Sequence, residues 1–319
     1  MPKIISPNNL PNLLSPNMSI YMPNCAGESL YIAEIFKDNP DCAKNIHFTG
    51  VWIPGVNNID YTSLHESTQA TSFFVTPALR KSYTNNKINF IPLHYSDVTP
   101  YLRSLNFDIA FIQISTPNKE GLCSFGIAAD FPPSIIDRAK LIVAHVNPAM
   151  PFIKNSPLIS LDEIDYIIEK NYDLVEYDLG SVNESLIKLG ANVGSLIKDG
   201  DTIQIGIGKI QSTVLSTLTD RKNLKLHGGM ICDPLIELIE SGAIANISSK
   251  QIPITTGVAV GSKIFYDYVS KRNDIQFKPA TYTHDIEILS SIDNLIAINS
   301  SIEIDLLGQA NAEMINGKQ

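Results

Sequence analysis

Two kinds of hydrophobic pattern alternate along the first half of the chain. Short runs rich in Ile, Val and Phe predict buried strands at residues 45–51, 88–92, 108–115 and 141–147. Helical spacing of apolar positions predicts helices at residues 27–36, 98–105, 133–139 and 161–164. Because strand-like and helix-like segments alternate along the chain, we expect an α/β fold with buried strands and mainly parallel sheets.

The same alternation starts again in the second half. Its predicted strands are residues 202–205, 224–226, 251–256 and 295–299, and its predicted helices are residues 184–197, 212–218 and 233–241. A polar stretch, residues 170–182, separates the halves. We therefore predict two open α/β domains, residues 1–180 and 181–319.

The composition is that of a globular protein with an acidic balance. Hydrophobic residues make up 44% of the 319 positions and charged residues 18%, and 24 Lys and Arg against 33 Asp and Glu give a net charge of −9. No cluster of Lys and Arg occurs, so we expect neither a nucleic-acid partner nor an anionic membrane. A small anionic ligand is still compatible with this balance, because backbone amides at a helix start can hold it.

The cysteines and the N-terminus indicate a cellular compartment. Cys25, Cys42, Cys123 and Cys232 stand singly, without the paired spacing of a zinc site, so we expect reduced thiols and no metal. Pro7, Pro11 and Pro16 interrupt any leader-like apolar run, and no stretch is long enough for a membrane span. These features predict a cytoplasmic protein.

A glycine-containing loop follows the first predicted strand of the second half. Its residues Gly206, Ile207, Gly208, Lys209 and Ile210 precede a helix that begins with polar residues. Backbone N–H groups in such a loop can face a phosphate or a carbonyl oxygen. The loop is neither the dinucleotide fingerprint, because Gln211 stands at the third glycine position, nor a P-loop. A tight turn required only for packing is the alternative.

Two adjacent glycines, Gly228 and Gly229, follow another predicted strand. They allow a ligand to approach the backbone at a strand end, where α/β folds place their sites. His227 and Cys232 flank them and could form a nucleophilic pair if the fold brings them together. Otherwise His227 is a strand-end histidine, Cys232 a small buried side chain and Asp233 a helix N-cap.

These segments, with several others, resemble the acetyl-CoA hydrolase/transferase group of class I CoA-transferases. The resemblance covers nearly the whole chain and is carried by Phe73-Phe74 with Pro77 and Arg80, by Val146-Asn147 with Met150-Pro151, and by residues 91–94, 108–126, 162–169, 199–214, 227–246 and 298–313. It implies two α/β domains, with CoA at their junction and residues 206–210 contacting the CoA or acyl moiety. Acyl-CoA and a small carboxylate are then the expected substrates, with no tightly bound cofactor.

One departure from the family pattern concerns the nucleophile. In members of the family, a glutamate in a His-Thr-Glu-Met type motif attacks the acyl-CoA carbonyl. Here the motif reads His227-Gly228-Gly229-Met230, with Gly229 at the glutamate position. A glycine cannot form the acyl intermediate. The hypotheses are therefore a CoA-transferase whose nucleophile is supplied by His227, Cys232 or water, an acyl-CoA thioesterase with Gly228 and Gly229 as oxyanion donors, and a non-catalytic acyl-CoA-binding or scaffold subunit. A fourth hypothesis is a different chemistry in the space that the glutamate side chain vacates.

A second departure concerns the end of the sequence. Family members continue past the segment that resembles residues 311–319, so we expect the second domain to be incomplete. An incomplete domain leaves surface uncovered, and this predicts a homo-oligomer or a complementing chain.

Overall fold

The computed structural model describes residues 1–206, 208–248 and 251–312. In these ranges the strands are β1 (Lys3–Ile4), β2 (Ser19–Tyr21), β3 (His47–Gly50), β4 (Gln69–Ser72), β5 (Ile88–Phe90), β6 (Phe107–Ile114), β7 (Leu122–Ser124), β8 (Ala139–Val146), β9 (Leu158–Ser160), β10 (Tyr166–Glu169), β11 (Thr202–Ile205), β12 (Lys225–His227), β13 (Met230–Ile231), β14 (Ile254–Thr256), β15 (Val258–Ala259), β16 (Ile275–Phe277), β17 (Leu295–Ile298), β18 (Glu303–Ile304) and β19 (Ala310–Asn311).

Helices cover much of the chain between these strands. The α-helices are α1 (Leu30–Asp38), α2 (Arg80–Thr84), α3 (Tyr95–Ser104), α4 (Pro132–Ile135), α5 (Glu184–Gly194), α6 (Lys209–Ser216), α7 (Leu235–Glu240), α8 (Lys263–Val269), α9 (Ala280–Thr283) and α10 (Ile286–Ser290). Short 3-10 helices are Pro7–Leu13, Cys25–Gly27, Pro40–Ala43, Tyr61–Ser63, Pro77–Leu79, Ile136–Arg138 and Leu161–Glu163.

The first large sheet is parallel and has the strand order β1-β10-β8-β6-β2-β3-β4-β5. The long strands β6 and β8 lie next to each other near its middle, in a register that runs from Phe107 opposite Ala139 to Ile114 opposite Val146. Most residues of both strands are apolar, as expected for strands of a parallel sheet that is covered on both faces. Ser29 is the N-cap of helix α1, because its hydroxyl accepts from the Ile32 amide. The helix buries Ile32, Ile35 and Phe36.

The second large sheet is also parallel, with the order β16-β14-β12-β11-β17. Its strands come from residues 202–298, whereas those of the first sheet come from residues 3–169. One hydrophobic cluster contains side chains from both parts, including Ile114 and Phe125 with Ile203 and Leu226. Backbone hydrogen bonds also join them, from Ala129 to Gly257 and from Ala259 to Ile127. The two parts therefore pack directly against each other.

The predicted α/β class with mainly parallel sheets is confirmed, and several element predictions need correction. The predicted helix at residues 161–164 is one 3-10 turn, Leu161–Glu163, because a capping box between Ser160 and Glu163 satisfies it locally. Residues 133–139 contain only α4 and a 3-10 turn before β8 begins. The pattern missed β2, which is three residues long, and β4, which is mostly polar and lies next to the edge strand β5. The domain boundary near residue 180 stays a prediction.

Candidate active site

A cavity of about 640 Å³ lies where the carboxyl ends of the two parallel sheets face each other. The first sheet lines it with residues that follow β2, β3, β4 and β5: Cys25, Ile53, Pro54, Phe74 and Tyr95. The second sheet lines it with residues at the ends of β11, β12 and β17 or after β16: Gln204, Gly206, Gly229, His284, Asn299 and Ser300. Ligands of open α/β sheets bind at this end of the strands. We refer to this cavity as the cleft.

The ionisable side chains that line the cleft are few. In the described part of the chain they are those of Cys25, Tyr95 and His284, and no Asp or Glu is among the lining residues. Covalent acyl transfer through an enzyme carboxylate requires one to reach the substrate. The described wall of the cleft does not supply it.

On the first wall, Asp130 is buried and held by neutral donors. Its Oδ2 accepts from Asn24 Nδ2 at 2.7 Å and from the Tyr95 hydroxyl at 2.9 Å, and its Oδ1 accepts from the Phe131 amide. Burial raises the pKa of Asp130, and these hydrogen bonds oppose the shift. The carboxylate therefore orients Tyr95 from behind the wall.

A second buried carboxylate, Glu28, lies in the same half. It accepts from Asn57 Nδ2 at 2.9 Å and from the Tyr61 hydroxyl at 3.1 Å. Burial raises its pKa to about 7, against the effect of both hydrogen bonds. Asn57 also accepts from the amide of Cys25 through Oδ1, so Glu28 supports the backbone beside the cleft.

Cys25 lines the cleft but is a poor nucleophile. Its φ of 48° is in the left-handed region, which is uncommon for a residue with a side chain, and the Asn57 hydrogen bond holds it there. Burial raises the pKa of the thiol well above its ordinary value, and the nearby Asp130 and Glu28 raise it further. Because the thiolate is the reactive form, this thiol is not activated.

The loop predicted to contact CoA enters the cleft in part. Gly206 and Gln211 line the cavity, and Gly208 has a φ of 132° at the start of α6. Lys209 donates to the Ser181 carbonyl at 3.3 Å, and Ile210 is half-buried. Ile207 lies outside the described residues.

The first turn of α6 uses its polar side chains internally. The hydroxyls of Ser212 and Thr213 donate to the Lys209 carbonyl at 2.8 and 2.7 Å. They therefore satisfy the helix and are buried beneath the loop. The amide of Gln211 reaches the Ser300 hydroxyl at 3.4 Å, which ties the loop to the end of β17.

Of the two adjacent glycines, Gly229 lines the cleft. The amide of Gly228 donates to the Thr255 carbonyl at 3.1 Å, which removes it as an oxyanion donor and corrects the expectation that both glycines serve. The Gly229 amide has no hydrogen-bond partner within the described residues. A Cβ at Gly229 would lie 2.8 Å from Cε1 and 3.3 Å from Nε2 of His284. The histidine ring therefore borders the space that a side chain at position 229 would enter.

His227 and Cys232 do not meet in the cleft. His227 lines a separate polar cavity of about 810 Å³ and faces Tyr282, with ring centroids 6.0 Å apart. Its Nε2 is buried and has no hydrogen-bond partner among the described residues, and burial lowers the pKa of the ring. Cys232 is buried in the hydrophobic cluster. Burial, and to a lesser extent the nearby Asp233, raises the pKa of its thiol to about 12. The hypothesis that His227 and Cys232 form a nucleophilic pair is therefore wrong.

The N-cap expectation for Asp233 is also wrong. Its carboxylate accepts from the amide and the hydroxyl of Ser262, the residue that caps α8. Helix α7 begins later, at Leu235. Asp233 therefore joins the start of α7 to the start of α8.

Sequence reasoning identified none of the three ionisable residues that line the described part of the cleft, Cys25, Tyr95 and His284. Tyr95 and His284 lie in different halves of the chain, and their rings pack with centroids 4.6 Å apart. Burial and the nearby His227 lower the pKa of His284 to about 4. The available signal was the polar run Thr283-His284-Asp285 between two short apolar segments, after the strand now seen as β16.

Two features are absent from residues 1–206, 208–248 and 251–312. No group of three His, Cys, Asp or Glu side chains there could hold a metal ion. None of the helices in that part of the chain has the length and apolar character that a membrane crossing needs.

Two family models match the chain. The acetyl-CoA hydrolase/transferase N-terminal domain matches residues 1–177, and the corresponding C-terminal domain matches residues 261–319. The chain belongs to the acetyl-CoA hydrolase/transferase family. The two matched segments supply the first sheet and the α8–β19 part of the second half.

Several curated relatives of this acetyl-CoA hydrolase/transferase chain carry transferase names. A 4-hydroxybutyrate coenzyme A transferase of Clostridium kluyveri is 28% identical over 321 residues, 99% of this chain and 75% of that protein. A succinyl-CoA:acetate/propanoyl-CoA:succinate CoA transferase of Fasciola hepatica is 29% identical over 77% of this chain. In that relative the match covers 53% of the length, and in butyryl-CoA:acetate CoA-transferase of Anaerostipes caccae it covers 54%.

Solved structures show the same fold. A 4-hydroxybutyrate CoA-transferase of Porphyromonas gingivalis has a TM-score of 0.80 and 28% identity over 97% of this chain and 75% of that chain. RipA of Yersinia pestis has a TM-score of 0.88 over 98% of this chain and 76% of that chain, and its 22% identity supports the fold alone.

Proposed function

We propose that the protein binds short acyl-CoA thioesters in the cleft and cleaves them by a route that does not acylate an enzyme carboxylate. Family membership supports the acyl-CoA substrate. Two observations support cleavage without an acylated carboxylate. No Asp or Glu is among the described residues that line the cleft, and Gly229 stands where the family resemblance expects a glutamate. Water is then the acceptor, and the protein is an acyl-CoA thioesterase.

In this proposal the acyl end of the ligand enters between Gly206 and Gly229. A cavity of about 640 Å³ holds a group of small-molecule size, since ligand pockets span roughly 300–1,000 Å³. Residues Gly206 and Gln211 border the thioester, and the exposed Lys209 donates to the Ser181 carbonyl. The Gly229 amide is the candidate donor to the developing oxyanion.

The test compares acceptor-independent and acceptor-dependent chemistry. Purified protein is incubated with acetyl-, butyryl- and succinyl-CoA, with and without acetate, and both free thiol and exchanged acyl-CoA are measured. We expect thiol release that is proportional to enzyme and unchanged by acetate. Acetate-dependent exchange would instead favour a transferase with another nucleophile. Binding without turnover would favour the non-catalytic subunit.

Localisation, domain boundary and assembly are part of the same proposal. Four free cysteines are compatible with a reducing, cytoplasmic compartment. We place the domain boundary between residues 180 and 181. Exposed Ile304, Leu306 and Leu307 support a homo-oligomer or a complementing chain, because such apolar surface is often covered by a partner. Light scattering of the purified protein distinguishes a monomer from these assemblies.

A further inference from the structure

His284 stands where the side chain of residue 229 would otherwise lie. Its Cε1 and Nε2 are the atoms nearest to a Cβ built at Gly229, at 2.8 and 3.3 Å. Both residues line the cleft. The imidazole edge that carries Nε2 is therefore beside the glycine at which the proposed thioester is placed.

Contacts on two sides fix the orientation of this ring. Nδ1 of His284 lies 2.9 Å from Oγ1 of Thr283, and the Tyr95 ring packs against the imidazole with centroids 4.6 Å apart. Tyr95 is itself held by its 2.9 Å hydrogen bond to Asp130. A ring held in this way is preorganised for one task at Nε2.

The surroundings keep the ring neutral. The titratable groups that face it are His227 from the end of β12 and Tyr95 from the start of α3, with Asp130 and Cys25 behind Tyr95. Burial and His227 hold the pKa of His284 at about 4, so the imidazole is uncharged at neutral pH. An uncharged imidazole has a lone pair on one ring nitrogen and can accept a proton there.

We propose that Nε2 of His284 is the general base that activates water for cleavage of the acyl-CoA thioester. This inference rests on the proposed function. A water between Nε2 and the thioester carbonyl transfers a proton to Nε2 while its oxygen bonds to the carbonyl carbon, and the carbonyl becomes an oxyanion. The oxyanion then reforms the C=O bond, the C–S bond breaks, and the leaving thiolate takes the proton from Nε2. The products are the carboxylic acid and CoA thiol, and His284 returns to its neutral form.

Thr283 is a positioning residue in this mechanism. The mechanism requires the tautomer in which Nδ1–H donates to Thr283 Oγ1, 2.9 Å away, because this tautomer leaves the lone pair on Nε2. Thr283→Val removes the acceptor and keeps the shape. We expect this variant to lower kcat with little change in KM and to increase the fraction of the tautomer that is protonated on Nε2.

The main test is His284→Gln, with His65→Gln as the matched control. His65 is bonded to Ser67 within its own loop and is not among the cleft-lining residues. General-base catalysis contributes roughly 10²–10⁴-fold, so we expect His284→Gln to lower kcat by at least about 100-fold with KM within about twofold. The control should keep wild-type rates. Retention of more than half of the activity by His284→Gln overturns the inference while the proposed thioesterase stands.

The pH profile gives a second readout. An ordinary histidine base, with a pKa near 6.5, would lose about fivefold in rate between pH 6.5 and 5.5, because its unprotonated fraction falls from about one half to about one tenth. With the pKa of His284 at about 4, we expect kcat to be flat over the same interval. A drop of that size would contradict the assignment.

A measurement without turnover separates the two proposals. Nitrogen NMR of the ring should show Nε2 unprotonated at pH 7 and shifted when a non-hydrolysable thioether analogue of acetyl-CoA binds. An Nε2-protonated ring, or a ring that does not respond to the bound analogue, overturns the role of His284. If wild-type protein binds the analogue and releases no thiol from the acyl-CoA panel, both the thioesterase and its base are wrong, and the binding-subunit hypothesis takes their place.

Discussion

The two walls of the cleft differ in the ionisable groups that they contain. The wall from the first sheet is backed by two buried carboxylates, Glu28 and Asp130, whose hydrogen-bond donors are neutral side chains and backbone. The wall from the second sheet presents glycines, amide side chains, apolar side chains, the Ser300 hydroxyl and the neutral His284. The two carboxylates near the cleft are thus buried and hold its shape. Among the described residues that line the cleft there is no carboxylate.

This difference matters because reactivity depends on access as well as on residue type. A buried carboxylate that accepts two or three hydrogen bonds cannot also reach a substrate carbonyl. A histidine that lines the cavity can, and its environment decides whether it is a base. The comparison can be tested by moving a carboxylate to the second wall, by removing one from the first, and by titrating one in place.

The largest effect is expected from Gly229→Glu combined with His284→Ala. The second change clears the space that the ring borders, and the first adds the carboxylate that the family resemblance places there. We expect acetate-dependent CoA exchange, which wild-type protein lacks under the proposed function, to appear in this double variant, since covalent catalysis splits one difficult step into two. Mass spectrometry should detect a glutamyl-CoA thioester on residue 229.

The matched control for this pair is Gly229→Gln with His284→Ala, which has a side chain of the same size and no carboxylate. Equal exchange by both double variants would show that the carboxylate is not the cause. Gly229→Glu alone should exchange less than the pair, because its side chain collides with His284.

The next effect concerns stability and the first wall. Asp130→Asn places an amide where three donors now converge, from Asn24, Tyr95 and the Phe131 backbone. We expect the free energy of unfolding to fall by about 3 kcal/mol, as when one partner of a buried polar network is removed. Urea denaturation at pH 7 measures it, and a loss below about 1 kcal/mol would mean that the network is not holding the wall.

Glu28 gives a pH-dependent effect of similar origin. Its pKa is about 7 in the folded protein and near 4.5 when exposed, so the folded state binds the extra proton between these values. Wild-type protein therefore loses stability as pH rises from 4.5 through 7, whereas Glu28→Gln does not. We expect the variant to gain about 3 kcal/mol relative to wild type between pH 4.5 and 8.

Urea denaturation of both proteins across that pH range gives this difference directly. The variant's own hydrogen bonds to Asn57 and Tyr61 change its stability by a constant that does not depend on pH. A parallel pair of pH profiles would show that Glu28 is ionised at an ordinary pKa.

The smallest effect is expected far from the cleft. Asp137 forms an exposed ion pair with Arg103 at 2.9 Å. Exposed pairs contribute about 0–1 kcal/mol because water and salt screen them, so Asp137→Asn should change the free energy of unfolding by less than about 1 kcal/mol. A larger loss, comparable to that of Asp130→Asn, would remove the distinction between buried and exposed carboxylates.

The local pattern of the chain determined the fold class and much of the second wall. Mostly apolar runs predicted β6 and β8, and a short isoleucine-containing run predicted β11, since parallel strands are largely buried on both faces. Glycines after strands indicated Gly206 and Gly229, because the backbone at a strand end must allow close approach. The same patterns could not identify β2, which is too short for a periodicity to appear.

Only the tertiary structure decided which side chains share the cleft. Tyr95 and His284 are 189 positions apart and become neighbours because both sheets present their carboxyl ends to one cavity. His227 and Cys232 are close in sequence yet point to a separate cavity and into the core, because successive residues of a strand face opposite sides and the following turn redirects the chain. Sequence spacing carries residue type and local geometry, whereas burial, hydrogen-bond partners and pKa arise from contacts between distant segments.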